Sequence, residues 1–168
     1  MATRKEIFAK PERCTGCMSC VIACGVEHSK GKSLFAACTE KPAPRSRVYV
    51  EWSAPERKTP ILCRHCDDAP CMHACIVGAI TQGEDGVVTT DTDRCIGCWT
   101  CVMVCPYGVI GRHAELKKSY RCDRCPGREL PACVSSCPTG ALVFGSVDEF
   151  SKGARQTAAE EFAKGERK

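Results

Sequence analysis

Short runs of alternating or β-branched hydrophobic residues recur along this 168-residue chain and predict strands. Residues 79–80 and 87–90 flank a Gly-Glu-Asp-Gly turn, so we expect a short hairpin there. Residues 7–9 and 141–144, near the two ends of the chain, are predicted to form a corresponding ribbon. Residues 48–52 alternate like one further, half-exposed strand.

The C-terminal tail carries the pattern of an amphipathic helix. Ser146 and Glu149 have the spacing of a capping box, which marks a helix start. One apolar stripe follows at four-residue spacing: Phe150, Ala154, Ala158 and Phe162. We expect this stripe to pack on the chain's own body, with docking to a partner as the alternative.

One short turn recurs three times and always follows a cysteine. After Cys75, Cys105 and Cys137 the chain reads IVGAI, PYGVI and PTGAL. We expect the glycines of these turns to supply the permissive backbone by which the chain leaves a bound group: Gly78, Gly108 and Gly140. Cys24 lacks this turn and opens the longest insertion in the chain instead.

Sixteen of the 17 cysteines fall into four runs of four, each opening C-x-x-C and closing C-x-x-x-C. The runs are Cys14, Cys17, Cys20 and Cys24; Cys63, Cys66, Cys71 and Cys75; Cys95, Cys98, Cys101 and Cys105; and Cys122, Cys125, Cys133 and Cys137. The first and third follow the C-x2-C-x2-C-x3-C spacing with which bacterial ferredoxins hold 4Fe-4S clusters. Three thiolates at this spacing can wrap one cluster, whereas the fourth reaches a neighbouring one. The sequence therefore predicts four 4Fe-4S clusters, held by paired runs.

Two structural alternatives compete with clusters. A disulfide framework needs an oxidising compartment, but the N-terminal MATRKEIFAK has no apolar signal region. Zinc is the stronger rival, because C-x-x-C pairs are its commonest signature. A zinc site takes two separated pairs, however, while the first and third runs are uninterrupted quartets.

Composition and charge agree with bound clusters. Aromatic residues make up 6% of the chain, which is low for a protein that builds its own core, so we expect a cluster-nucleated core and a largely unfolded apoprotein. The formal charge of +4 becomes about −4 once four clusters of about −2 each are bound. The basic balance is therefore internal counter-charge, and we expect no nucleic-acid partner.

No stretch approaches 18 apolar residues, so no membrane span is predicted. The reduced, cysteine-rich and unsignalled chain is expected in the cytoplasm, although a partner subunit could carry an export signal for both.

From Cys14 to Leu142 the chain resembles the four-cluster, ferredoxin-like electron-transfer subunits of bacterial redox enzymes. That family includes the iron–sulfur subunits of molybdopterin oxidoreductases and of formate and hydrogenase complexes, and those of carbon monoxide dehydrogenase and tungsten aldehyde oxidoreductase. The short chain and its Cys63-Arg-His-Cys66-Asp-Asp-Ala-Pro-Cys71 segment are most similar to the last two types.

The resemblance implies an α+β fold of two interleaved bacterial-ferredoxin-like dicluster units with little regular structure. Residues 1–24 plus 106–145 would form the outer unit, and residues 63–105 the inner unit. Residues 25–62 would be an insertion with a short strand, and residues 146–168 a C-terminal helix or tail.

The resemblance also implies crossed ligand sets, in which run one pairs with run four and run two with run three. The four clusters would be held by Cys14, Cys17, Cys20 and Cys137; by Cys122, Cys125, Cys133 and Cys24; by Cys63, Cys66, Cys71 and Cys105; and by Cys95, Cys98, Cys101 and Cys75. No proline follows Cys24 or Cys75, unlike the ferredoxin run, so the local loop geometry there is expected to differ.

We therefore expect an electron-transfer subunit without catalytic residues, because a fully ligated cluster has no open iron for a substrate. It would relay electrons between a catalytic subunit, of molybdenum, tungsten or nickel–iron type, and a second redox protein. Head-to-tail association into filaments is a further possibility. The alternatives are a zinc-stabilised binding module and a cluster-bearing catalytic subunit, and metal analysis discriminates both.

A few residues outside the ligand sets have expected roles. Cys38 lacks partner spacing and is expected to be a buried, inert thiol. His65 is expected to pack around its cluster and Trp99 to shield its own from water. Three arginines precede the first cysteine of a run and either raise a cluster potential or lie on the solvated surface: Arg13, Arg94 and Arg121.

Overall fold

The computed structural model describes residues 4–54 and 56–165, and it shows an α+β fold of short elements. The first and last three residues, in the predicted outer unit and tail, and position 55 in the insertion lie outside this description. The strands are β1 (Lys5–Ala9), β2 (Val48–Ala54), β3 (Arg57–Leu62), β4 (Ile80–Gln82), β5 (Val88–Thr90), β6 (Gly111–His113), β7 (Lys118–Tyr120) and β8 (Leu142–Ser146). The helices are α1 (Ser19–Glu27), α2 (Leu34–Thr39), α3 (Pro70–His73), α4 (Thr100–Val104), α5 (Ala132–Ser135) and α6 (Val147–Ala163), with a 3-10 turn at Pro11–Arg13.

The strands pair as antiparallel two-stranded ribbons, and two of these were predicted. β1 pairs with β8, with Ile7 opposite Phe144, so the two ends of the chain meet. β4 pairs with β5 across the Gly/Asp turn, with Ile80 opposite Thr90. Both sequence predictions are confirmed.

Regular structure is more extensive than expected. The predicted strand at 48–52 is present as β2, but its partner β3 was not foreseen. The β6–β7 hairpin and helix α2 were also missed. Proline at position 60 and the charged start of β3 obscure its strand pattern, since proline is disfavoured in central strands.

Buried side chains form two separate core groups, and both contain cysteines. The outer core consists of Cys20, Cys24, Val48, Leu62, Cys122, Cys133 and Leu142. The inner core consists of Ala69, Cys71, Ile80, Val88, Cys101 and Ile110. Cysteines of runs one and four thus share the outer core, and those of runs two and three share the inner one. Val48 and Leu62 come from β2 and β3, so the insertion packs into the outer core.

Arginine side chains join the two halves of the molecule. Arg4 contacts the Asp67 carboxylate and the His65 carbonyl. Arg121 donates from Nε to Thr90 Oγ1 at 3.0 Å, and Arg124 donates from Nη1 to the Asp85 carbonyl at 3.5 Å. These contacts hold residues next to run four against the β4–β5 hairpin.

Helix α6 begins at the predicted capping box. Ser146 Oγ accepts from the Glu149 amide at 3.2 Å, and Glu149 accepts from the Ser146 amide at 2.9 Å. Phe150 stacks on Phe8 of β1 with ring centroids 4.3 Å apart, so the first turn packs on the chain's own body as expected. Phe162, at the far end of the stripe, is 65% exposed.

Across the described ranges, no helix combines the length and the apolar character that a membrane crossing requires.

Candidate metal centres

Three small cavities inside the molecule are each lined by four cysteines and contain about 310 to 350 Å³ of empty space. Group 1, around the first cavity, is Cys14, Cys17, Cys20 and Cys137. Group 3 is Cys63, Cys66, Cys71 and Cys105. Group 4 is Cys75, Cys95, Cys98 and Cys101. Each cavity thus combines three cysteines of one run with the last cysteine of another.

The remaining four cysteines also come together. Cys24, Cys122 and Cys133 share the outer core. Burial raises the pKa of Cys133, and the nearby thiols of Cys122, Cys24 and Cys125 add to that effect. We call Cys24, Cys122, Cys125 and Cys133 group 2, and all four of its members are buried.

Short helices and tight loops aim these cysteines inward. The third cysteine of each run lies in a helix: Cys20 in α1, Cys71 in α3, Cys101 in α4 and Cys133 in α5. Helix α1 contacts α5 and helix α3 contacts α4, which brings runs one and four, and runs two and three, side by side.

The residue before the second cysteine of each run has a positive φ. Gly16 and Gly97 adopt φ of +73° and +70° in runs one and three, where glycine carries no steric penalty. His65 and Arg124 occupy the same place in runs two and four, at +46° and +59°. Non-glycine residues rarely adopt this conformation, and it persists where the surrounding contacts hold it.

The predicted turn after the last cysteine is confirmed. Gly78, Gly108 and Gly140 all have positive φ, between +59° and +63°. The turn also brings a backbone amide onto sulfur, since Ala79 N–H donates to Cys75 Sγ and Ala141 N–H donates to Cys137 Sγ, each at 3.2 Å.

Cys24 obtains the same kind of hydrogen bond from the insertion. It lies within α1 and has no turn after it, but the Arg47 amide donates to its Sγ at 3.2 Å. Arg47 and His28 both contact the Asp123 carboxylate. Burial opposes the charged imidazole, yet the hydrogen bond to Asp123 raises the pKa of His28 to about 9. The sequence gave no signal for this network, because its members lie far apart along the chain.

The chemistry of the donor set fits iron–sulfur clusters. Every group offers four thiols, which are soft ligands for iron–sulfur clusters and zinc. Burial raises the pKa of Cys20 to about 11 and that of Cys122 to about 12, so these thiols need a bound cation to ionise at neutral pH. The amide donors onto sulfur are the contacts that stabilise a ligating thiolate.

The spacing of the sulfurs separates a cluster from a single ion. In a tetrahedral zinc site with Zn–S near 2.3 Å, the sulfurs lie about 3.8 Å apart. Among the described residues, the one set of three ligand atoms all within 4.8 Å of one another is His28, Asp123 and Cys125. No three cysteine sulfurs of a group are that close. His28 and Asp123 form the ion pair described above, whereas the cysteine groups are wide enough to need a polynuclear centre.

The four groups lie in the order 1, 2, 3, 4, which sequence reasoning left open. Cys20 of group 1 and Cys133 of group 2 share the outer core, and Cys63 of group 3 packs against that core. Cys71 of group 3 and Cys101 of group 4 share the inner core.

The two end groups reach the surface. Cys17 of group 1 and Cys98 of group 4 are exposed, whereas every cysteine of groups 2 and 3 is buried or half-buried. An electron could therefore enter or leave at either end of the row.

The other singled-out residues have mixed outcomes. Cys38 lies exposed on α2, so the prediction of a buried thiol is wrong; the six-residue helix carries no buried residue. His65 is 2% exposed, and its Nδ1 accepts from the Val88 amide at 2.9 Å. Trp99 lines the group 4 cavity under the Arg112 guanidinium. Arg13 and Arg94 are exposed, whereas Arg121 is buried.

Comparison with known proteins agrees with this geometry. Residues 57–147 match the family model of the 4Fe-4S dicluster domain. The chain belongs to this 4Fe-4S dicluster family. Residues 11–27 match a second model, a 4Fe-4S binding domain, so 4Fe-4S domains cover cysteines of all four runs. The resemblance to ferredoxin-like electron-transfer subunits is confirmed.

Curated relatives cover most of the chain. An iron–sulfur protein of Rhodospirillum rubrum is 37% identical over 96% of this chain and 92% of its own length. The thiosulfate reductase electron transfer subunit PhsB of Salmonella typhi is 38% identical, over 82% of this chain and 73% of its own. The electron transport protein HydN of Escherichia coli K12 is 35% identical, over 82% of this chain and 85% of its own.

Proposed function

We propose that the chain is a non-catalytic electron-transfer subunit that carries four 4Fe-4S clusters, one in each cysteine group. The observation that carries this proposal is the row of four all-cysteine groups with an exposed cysteine at each end. The ligands would be the crossed sets of groups 1 to 4, so that two dicluster units interleave in one chain.

When bound, each cluster accepts and releases one electron without binding a substrate, because all four of its irons have a cysteine ligand. The protein residues do the rest. The buried groups 2 and 3 keep water from the middle of the row, which lowers the local dielectric and strengthens every charge interaction there. Amide donors to Cys24, Cys75 and Cys137 favour the ionised, electron-rich sulfur.

Two separate ends favour two redox partners. One electron enters at the exposed end of group 1 or group 4 and one leaves at the other end. The relatives' names point to the class of one partner: they include electron transfer subunits or chains of thiosulfate, tetrathionate and dimethyl sulfoxide reductases. We infer that one partner of this chain is the catalytic subunit of such an oxidoreductase, of molybdenum, tungsten or nickel–iron type. We further propose that the protein works in the cytoplasm.

The zinc-module alternative is disfavoured by the wide sulfur spacing within each group. A cluster-bearing catalytic role would need an iron without a protein ligand, whereas each group offers a full set of four cysteines.

The partner prediction is tested with tagged protein purified anaerobically from its native host. We expect a stable complex with a larger catalytic subunit, and we expect the isolated chain to reduce no organic substrate. Stopped-flow absorbance at the cluster band should show reoxidation of the prereduced chain when the copurified subunit and its substrate are added. Cys38→Ser, which changes an exposed cysteine outside the four groups, is the control and should leave this rate unchanged.

Size-exclusion chromatography and electron microscopy report the assembly in the same preparation. End-to-end filaments would extend the row of clusters from one copy to the next. A monomeric holoprotein whose reduction or reoxidation no copurified protein accelerates would contradict the relay.

A further inference from the structure

Arg121 is a buried cation with no carboxylate partner. It is 3% exposed, and its Nη1 donates to Cys71 Sγ at 2.9 Å while its Nε donates to Thr90 Oγ1 at 3.0 Å. Its Nη2 is buried with no hydrogen-bond partner. No carboxylate in the described ranges lies within ion-pairing distance of this guanidinium.

The side chain acts on a different group from the one that its sequence position suggests. Arg121 immediately precedes Cys122 of group 2, yet its hydrogen bond goes to Cys71 of group 3. Burial raises the pKa of Cys63 in group 3 and of Cys101 in group 4, and the Arg121 charge opposes that rise at both thiols. The guanidinium therefore lies where groups 3 and 4 approach each other.

Two other arginines occupy the same place in their runs but do not reach sulfur. Arg13 and Arg94 precede the first cysteines of runs one and three, and both are exposed. Arg94 donates to the Val77 carbonyl at 3.0 Å instead. They are matched controls for the position in the run, with solvent around the charge.

A buried cation without a counter-ion is costly unless negative charge lies beside it. The negative charge nearest to Arg121 is that of the ligating sulfurs in group 3, and it grows when the cluster takes up an electron. Because the site excludes water, the attraction is weakly screened. Hydrogen bonds and charges at the sulfurs are among the factors that set cluster potentials.

We propose that Arg121 sets the reduction potential of the group 3 cluster, holding it above the value that the same ligands would give without the buried charge. The inference rests on the proposed function, since it requires a redox-active cluster in group 3. Group 4 feels the same charge more weakly, because no hydrogen bond joins Arg121 to its sulfurs.

The test is a potentiometric titration of the anaerobic holoprotein, followed by electron paramagnetic resonance. R121Q removes the charge, R121K keeps it but loses the planar fork, and R94Q removes an exposed charge at the matched position. We expect R121Q to lower the equilibrium constant for reducing one cluster about tenfold, which is about 59 mV for a one-electron couple. R121K should recover most of this shift, and R94Q should match the wild type.

A second measurement identifies the cluster and does not depend on R121Q assembling. Protein labelled with 15N in the arginine guanidino groups should show, in pulsed paramagnetic resonance, a nitrogen coupling on one reduced cluster. R121K should abolish this coupling, and R94Q should retain it.

The inference is overturned if R121Q has the same potentials as the wild type, if R94Q shifts equally, or if the wild type shows no guanidino coupling. Failure of the proposed function has a different signature. In that case the wild-type protein itself would lack iron and would not titrate in one-electron steps.

Discussion

Removing the iron should unfold most of the chain. Seven of the 17 cysteines are buried, and cysteines supply a large part of both cores. Helices α3 and α5 have only four residues each, far too few to be stable without their packing. We expect a chelator, applied under reducing conditions, to abolish most far-ultraviolet circular dichroism and to leave no cooperative thermal transition.

Reconstitution provides the control for that experiment. Iron with sulfide should restore the native spectrum, whereas zinc should not, because the sulfurs of each group are spaced too widely for one ion. An apoprotein that keeps the native spectrum and a cooperative transition would show that the cores stand without clusters.

The second large effect is the loss of one cluster when a single crossed ligand is removed. Cys137 lines the cavity of group 1, although it belongs to run four. Cys137→Ala should therefore damage the cluster of Cys14, Cys17 and Cys20, and iron should fall from about 16 to about 12 per chain. Cys38→Ala should leave the iron content unchanged, since Cys38 lies exposed on α2 outside every group.

Thiol labelling under native conditions shows which cluster is lost. In the C137A protein, run-one cysteines should react with iodoacetamide, while those of group 2 should stay protected. Labelling of Cys122, Cys125 and Cys133 instead would mean that each run holds its own cluster.

Local chemistry was readable from the sequence, because it depends on neighbouring residues. The capping box at Ser146, the β4–β5 hairpin and the positive φ of Gly78, Gly108 and Gly140 all rest on contacts within a few residues. The β1–β8 ribbon is the long-range exception, and it was reached from the repeat of the cysteine runs.

Features that depend on side-chain direction across the fold were out of reach. Three arginines have the same position before a run, yet only Arg121 turns inward, because Thr90 and Cys71 accept its hydrogen bonds. The Arg47 amide reaches Cys24 only after the insertion has folded over α1. The order of the four groups likewise follows from how the two cores pack, which no spacing along the chain encodes.

The most direct test of the account is the metal and sulfide content of anaerobically purified protein. Four clusters predict about 16 iron and about 16 acid-labile sulfide per chain, a brown colour and paramagnetism on reduction. Iron near 8 after careful reconstitution, with zinc in the remaining cysteine groups, would contradict the four-cluster relay.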